Sequence, residues 1–350
     1  MNRLTWRVIE GDNAQRLATL PDGCVHTCIT SPPYWGLRDY GVDGQIGLEE
    51  TPEEHIARLV EVFRQVRRVL RDDGTLWVNY GDAYAGSRKG GYVGTKSTLS
   101  SVEGQDQSRL AAARMTQSRR RDDAEIPRSD LAVAGLKCKD LIGLPWLLAF
   151  ALRADGWYFR QDIIWHKPNP MPESVTDRCT KAHEYLFLLS KGPRYFYDAA
   201  AIYEPVSGNA HSRGTGVNPK AAATEMGQRG QPKQNGSFSA AVNAVDTGKR
   251  GDDGGMARNR RSVWTVATQP FPEAHFATFP EALVEPCVKA GSPLGGLVLD
   301  PFSGSGTTGV VALKQGRSYV GCELNPEYVQ MSRRRLGEVA PLLAEELVNA

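Results

Sequence analysis

The chain has 350 residues, of which 41% are hydrophobic and 23% charged, and 42 Lys/Arg against 40 Asp/Glu leave a formal net charge of +2. That composition excludes collagen-like, coiled-coil and wholly disordered classes, and the length suffices for one large or two ordinary domains with a real core. No apolar run approaches the roughly 20 residues of a bilayer span, and MNRLTWRVIEGDN lacks an apolar signal core, so a soluble, cytoplasmic protein is expected.

In chain order, WRVIEGD and VHTCIT read as strands. A helix is predicted from Thr51 to about Leu70, because Ile56, Leu59, Val60, Phe63, Val66 and Leu70 share one face and Thr51 with Glu54 forms a capping box. Gly74 is expected to close the turn into the strand TLWVNYGD. LPWLLAFALRADG reads as a helix ended by Gly156, WYFRQDIIW and EYLFLLS as strands, and PEALVEPCVKAG as a helix. The last section runs LVLD, a glycine turn, the helix TTGVVALKQG, the strand SYVGCE and the helix PEYVQMSRRRL. Such alternation predicts an α/β fold, a doubly wound and mostly parallel sheet with helices on both faces.

Two polar windows interrupt this pattern. Residues 86–130 hold nine Lys/Arg against six Asp/Glu, and residues 205–262 hold nine against four, so the rest of the chain is net acidic. Both lack hydrophobic periodicity and read as basic, loop-rich insertions. They divide the chain into core segments 1–85, 131–200 and 263–350, an insertion at 86–130 and a second region at 201–262. Basic excursions from an acidic core suit a polyanionic partner, although a solvated linker explains them equally well. The six cysteines are scattered with no C-x-x-C pair, so neither a disulfide framework nor a metal site is expected.

LVLDPFSGSGTTG places Asp300 at a strand end, with Gly304, Ser305 and Gly306 in the turn opening a helix. Ligands of open α/β sheets sit in that crevice, where glycines permit close approach and a helix N-terminus offers free N–H groups. Glu323 ends the next strand, where a carboxylate suits the hydroxyls of a ribose. Gly304, Gly306 and Gly309 with Glu323, 19 residues after Gly304, also spell a dinucleotide site. A P-loop fits less well, because no Lys follows the glycines.

Far upstream, an apolar strand ends in Ser31-Pro32-Pro33-Tyr34. Two prolines fix φ and remove two N–H groups, which holds the carbonyls of Ser31 and Pro32 rigidly as acceptors. Tyr34-Trp35 is read as an exposed aromatic pair beside them. A proline turn alone would explain the prolines but not that pair.

D-P-F-x-G-S-G-T together with T-S-P-P-Y resembles the beta-class amino-group DNA methyltransferases that use S-adenosylmethionine, in which the Ser-Pro-Pro-Tyr element precedes the glycine turn; here the separation is about 270 residues. The resemblance covers residues 6–85, 136–200 and 263–337 and implies a seven-stranded, Rossmann-like methyltransferase sheet. It implies that Asp300, Phe302, Gly304, Ser305, Gly306 and Thr307 line the methionine end of the cofactor, that Glu323 binds its ribose and that Asp12 meets its adenine amine. Phe279 and Pro280 match the segment that closes over the methionine carboxylate. Trp165, Lys167 and Asn169 match a segment that helps hold a flipped base, and residues 199–262 lie where the family keeps its target-recognition region.

The exocyclic amine of a base is a poor nucleophile because its lone pair is delocalised into the ring. Acceptors at Ser31 and Pro32 would favour a pyramidal nitrogen for direct in-line transfer, while Tyr34, aided by Trp35, stacks on the extruded base. Ser-Pro-Pro-Tyr goes in the family mainly with the N4 of cytosine, and Asp/Asn-Pro-Pro-Tyr mainly with the N6 of adenine. Pro286-Cys287 resembles the nucleophile of carbon-5 enzymes, but its helical setting reads as a buried helix residue. Arg119, Arg120, Arg121, Lys249, Arg250, Arg258, Arg260 and Arg261 are candidates for phosphate contacts to double-stranded DNA. The family also brings a cognate restriction endonuclease and a homodimer into consideration. An NAD-dependent oxidoreductase and a cofactor-free DNA-binding protein remain the rival classes.

Overall fold

The computed structural model describes residues 4–37, 39–86, 135–205, 257–269, 279–339 and 344–346. They fall into two compact units, Met1–Tyr197 with Ser262–Ala350, and Asp198–Arg261. In the first unit the strands are β1 (Leu4–Glu10), β2 (Val25–Thr30), β3 (Leu70–Tyr80), β4 (Tyr158–His166) and β5 (His183–Ser190). The second unit contributes a two-residue pairing of β6 (Glu204–Pro205) with β7 (Ala257–Arg258). The first unit continues with β8 (Val263–Thr265), β9 (Leu297–Asp300), β10 (Ser318–Glu323) and β11 (Ala344–Glu346).

The strands of the first unit form one sheet in the order β11-β1-β10-β9-β2-β3-β5-β4-β8. Only β5 runs against its neighbours, pairing antiparallel with β3 and β4. The sheet is therefore mostly parallel, as the alternation predicts, but the described residues give it nine strands rather than seven. The additions are short edge strands: β8 pairs with β4 and β11 with β1, each over three residues.

Among the described residues six helices cover the sheet: α1 (Asn13–Ala18), α2 (Pro52–Val69), α3 (Leu144–Ala154), α4 (Glu281–Gly291), α5 (Thr307–Lys314) and α6 (Pro326–Val339). Contacts link α1 to α2 to α3 and, separately, α4 to α5 to α6, which places the helices in two layers. The capping box of α2 forms as predicted, with the Thr51 side chain accepting from Glu54 N and the Glu54 carboxylate accepting from Thr51 N. Its buried stripe, which includes Ile56, Leu59, Phe63, Val66 and Val69, follows the helical period and joins Cys28, Leu76 and Val78 of the sheet in the main core.

Gly74 does not end a turn before β3. The strand begins at Leu70, directly after α2, and Val25 pairs with Leu70 while Thr27 pairs with Thr75, so residues 71–74 bulge within the strand. On the opposite face, Gly291 lets α4 lie on a buried polar cluster: a Cβ there would come within 2.7 Å of Thr27 Oγ1 and 2.9 Å of both Thr75 Oγ1 and Trp77 Nε1. Among the described residues no helix is long and apolar enough to cross a membrane.

Candidate active site at the carboxyl ends of the parallel strands

Because β1, β10, β9 and β2 are parallel neighbours, their carboxyl ends open on one edge of the sheet. Glu10, Glu323, Asp300 and Thr30 are those ends. The two sequence motifs, separated by most of the chain, are thereby set side by side. Thr30 Oγ1 donates to Asp300 Oδ1 at 2.6 Å, a bond across 270 residues that joins the residue before Ser31 to the start of the glycine turn.

Asp300 is fully buried. Its Oδ1 also accepts from Phe302 N at 3.0 Å, and its Oδ2 accepts from Thr308 Oγ1 at 2.8 Å. Burial pushes its carboxyl up to about 6, with those three donors pulling the other way. The expectation that the Asp300 side chain lines a cofactor surface is corrected accordingly: it is an internal brace for the turn.

The three glycines serve different ends. Gly304 has φ +52°, and a Cβ there would meet nothing nearer than Phe302 O at 3.9 Å, so its face is open. Gly306 has φ +79°, and a Cβ would press within 2.7 Å of Ser332 Cβ on α6. At Gly309 a Cβ would come 2.6 Å from the Tyr319 ring. Only the first glycine leaves room for a ligand; the other two let α5 pack closely.

Ser305 and Thr307 are buried, and Arg335 Nη1 donates to Ser305 O at 2.6 Å, Ser305 Oγ at 2.9 Å and Thr307 Oγ1 at 3.3 Å. Their hydroxyls thus meet α6. Glu323 Oε2 accepts from Gly304 N at 2.7 Å and its Oε1 from Asn325 N at 2.9 Å. Burial raises the Glu323 carboxyl, opposed by these backbone donors. Gly11 N donates to Glu323 O at 2.9 Å, which brings Asp12 to the same edge. Asp12 caps α1 by accepting from Gln15 N at 3.0 Å. Phe302 is half-buried; Phe279 and Pro280 lead into α4, and Pro280 is its N-cap. The sequence reading missed Asn13, whose buried amide donates to Pro301 O at 2.7 Å and fastens α1 to the glycine turn.

On the other side, Ser31-Pro32-Pro33-Tyr34 leaves β2 outside any regular element. Gly47 (φ +115°) lies against it, with a Cβ there reaching 3.3 Å from Tyr34 O. The Tyr34 hydroxyl donates to Glu184 Oε2 at 2.9 Å and lies 3.3 Å from Asn79 Oδ1, and the Ser31 hydroxyl donates to Asn79 Oδ1 at 3.4 Å. The Asn79 amide donates to Glu184 Oε2 at 3.2 Å and Tyr185 O at 3.1 Å. Burial, and after it the Glu184 charge, holds the Tyr34 phenol well above its ordinary range. The ring meets Tyr80 edge-on at 4.9 Å. A Cβ at Gly81 would fall 2.6 Å from Tyr34 Cε2, so the ring is seated on a residue without a side chain.

The expected exposed pair Tyr34-Trp35 is not found. Tyr34 is half-buried, and Trp35 is 4% exposed, its indole donating to Glu49 O at 2.9 Å. Trp35 belongs to the core and is not available to stack on a base. Trp165 is corrected in the same way: it is 3% exposed and donates to Val266 O at 2.8 Å. Lys167 lies over the Trp165 ring, 4.2 Å from its centroid, and pairs with Glu184. Asn169 is exposed and exchanges two hydrogen bonds with the Thr268 backbone. Cys287 is a buried helix residue whose thiol donates to Leu283 O at 3.4 Å.

In the second unit, Arg258 and Arg261 both bind Glu204 Oε1, at 2.7 and 2.5 Å. Arg260 lies beside them in sequence and is likewise engaged in an interaction of its own. Arg119, Arg120, Arg121, Lys249 and Arg250 lie outside the described residues.

Comparison with known proteins identifies the family of the chain. A family described as DNA methylase, with an N6/N4 methyltransferase model, matches residues 25–334. The chain is 44% identical over 329 residues to the type II methyltransferase M.Cfr9I of Citrobacter freundii, covering 94% of this chain and 87% of that protein. It is 42% identical over 335 residues to M.SmaI of Serratia marcescens, covering 96% and 92%. Among solved structures, the PvuII DNA methyltransferase (cytosine-N4-specific) aligns with a TM-score of 0.57 at 15% identity over 99% of both chains. A putative DNA modification methylase of Thermus thermophilus, complexed with S-adenosyl-L-methionine, aligns with a TM-score of 0.53 at 23% identity, covering 98% of this chain and all of that one. At those identities the two structures speak for the fold.

Proposed function

The chain belongs to the N6/N4 DNA methylase family, and from that premise we propose that it transfers a methyl group from S-adenosyl-L-methionine to the exocyclic N4 amine of cytosine in double-stranded DNA. The observation that supports the proposal is the 2.6 Å bond from Thr30 to Asp300, by which Ser31-Pro32-Pro33-Tyr34 and the glycine turn leave neighbouring strands side by side on one edge of the sheet.

The residues present fit the cofactor. Gly304 leaves open space where a Cβ would stand, and each Glu323 oxygen accepts one backbone N–H, retaining lone pairs for ribose hydroxyls. When bound, S-adenosyl-L-methionine supplies an electrophilic methyl group on sulfonium. Glu323 and Asp12 would hold its nucleoside end and the turn from Phe302 to Gly306 its amino-acid end.

The chain's own contribution is acceptors and a platform. The Ser31 hydroxyl oxygen and the Pro32 carbonyl would accept the two amine protons, favouring a pyramidal nitrogen with an available lone pair. The Tyr34 ring, held from behind by Gly81 and Tyr80, would stack on the base and offset the few kcal/mol of extrusion. Ser31 in place of a carboxylate or amide is what favours cytosine. Arg258, Arg260 and Arg261 would contact phosphates within a recognition region at 201–262, with 86–130 as a second basic contact.

Labelled methyl transfer to DNA followed by nucleoside analysis tests the proposal. N4-methylcytosine is expected, N6-methyladenine would replace the base assignment, and no methylated amine would overturn the reading. Thermal stabilisation by S-adenosylhomocysteine and not by NAD separates it from the oxidoreductase rival.

A further inference from the structure

The polar network behind Ser31 has a direction, and that direction follows from the chemistry of its members. Glu184 Oε2 and the Tyr185 carbonyl are acceptors, and both meet Asn79 Nδ2, at 3.2 and 3.1 Å. Two acceptors fix the donor end of the amide, so Oδ1 must face the other way. There it stands 3.4 Å from Ser31 Oγ and takes the hydroxyl proton. A hydroxyl that has given its proton away presents only lone pairs forward. Glu184 itself has no freedom to turn: Lys167 holds its Oε1, and the Tyr34 hydroxyl donates to its Oε2 at 2.9 Å. Its side chain is 16% exposed and that of Lys167 18%.

We infer that Glu184 is a positioning residue for the amine-accepting element: through Asn79 it makes Ser31 Oγ an acceptor toward the substrate amine, with Lys167 as its counter-ion. The inference rests on the function proposed above. It concerns a residue that never touches the substrate in this account and that lies 153 positions from Ser31 in the sequence.

Glu184→Gln tests it, because the amide nearly keeps the shape but can offer a donor to Asn79, releasing it to flip. Turnover in labelled methyl transfer should fall at least tenfold, with the cofactor Kd, measured by calorimetry, within twofold of wild type. Asn79→Ala should give a loss of similar size by removing the intermediary, and it serves if Glu184→Gln lowers the melting temperature. The deciding measurement is a double-mutant cycle with Ser31→Ala. If Glu184 acts through Ser31, adding Glu184→Gln to Ser31→Ala costs less than threefold more. Multiplicative losses, or wild-type turnover in Glu184→Gln and Asn79→Ala, would overturn the inference. Failure of the wild-type enzyme to methylate any exocyclic amine would instead overturn the function on which it rests.

Discussion

The turns that leave β9 and β2 sit side by side, yet they are held in different ways. The β9 turn is held mainly from its own neighbourhood and the adjoining parallel strand: Asp300 binds Phe302 N and Thr308, and Glu323 binds Gly304 N. The β2 element is held through side chains, by Asn79 on the adjoining strand β3 and, one strand further, by Glu184 near the start of β5. Glycines repeat the contrast. Gly306 and Gly309 serve packing of the turn's own helix, whereas Gly81 serves the ring of a residue 47 positions earlier. The β9 turn gathers most of its bonds from its own residues and β10, with Thr30 and Asn13 bracing it from far off in sequence. The Ser31–Tyr34 element takes its side-chain partners from β3 and β5, and so depends on those strands keeping their register.

The largest effects should come from the β2 side. Tyr34→Ala should cut methyl transfer roughly a hundredfold, the scale of a lost positioning contact, while leaving cofactor affinity nearly unchanged. Equal loss of both, by calorimetry and methyl transfer, would erase the distinction between the two turns. Gly81→Ala should follow at roughly tenfold or more, because its methyl group would stand 2.6 Å from Tyr34 Cε2. The readout is turnover with cofactor binding retained, and an unchanged rate would show that the ring has another seat.

On the β9 side the loss should appear in stability. Gly306→Ala combines a left-handed φ of +79° with a 2.7 Å approach to Ser332 Cβ and should cost roughly 2–4 kcal/mol, visible as a melting temperature several degrees lower. Gly304→Ala has the strain without the clash, about 1 kcal/mol, so its larger effect should be on cofactor affinity. If Gly306→Ala were the milder for folding, the assignment of one glycine to the ligand and the other to packing would be wrong.

How much of this was legible in the sequence follows the same division. Asp300, Gly304 and Glu323 could be placed from local spacing, since a strand end, a glycine turn and the next strand end form one continuous unit. Ser31–Tyr34 could be placed as a motif, but its supports could not. Asn79 meets Glu184 because β3 and β5 pair antiparallel, with Tyr80 opposite Tyr185, and no local pattern sets that register across 105 residues. The polar Asn79 ending an apolar strand was the one visible hint. Trp35 was misread as exposed because its burial depends on the Glu49 carbonyl and the core under α2, not on the prolines before it. Trp165 lies in a strand whose buried face is set by β8 as well as β5, and β8 is three residues long.

The buried brace Asp300 gives a test in pH. Its folded carboxyl lies near 6, above the ordinary value of about 3.9 for an unfolded chain. The folded state therefore holds the proton more tightly, so this contribution is fully present below about pH 4 and is lost as pH rises through 6. The shift of about two units corresponds to roughly 3 kcal/mol. Asp300→Asn cannot titrate, and it can still accept from Thr30 and Phe302 N through its carbonyl oxygen. Unfolding free energies from pH 4 to 7 should show wild type losing ground to the Asn variant as pH rises. A constant difference would mean that Asp300 keeps its charge at ordinary cost.

The smallest effects belong to the second unit, where Arg258 and Arg261 share Glu204 Oε1 and their side chains are 37% and 69% exposed. Ion pairs whose guanidinium is this exposed are worth about 0–1 kcal/mol each, so the two contacts to Glu204 can be exchanged for phosphate at small cost. Arg261→Ala should weaken DNA binding severalfold and lower the salt dependence by about one phosphate contact, with the rate at saturating DNA unchanged. Glu204→Ala should do the opposite, removing the carboxylate that competes with phosphate for both guanidiniums and steepening the salt dependence. A drop in saturated turnover for either variant would mean that this unit reaches into the chemistry after all, and the separation of binding from methyl transfer on which the two-turn comparison depends would fail.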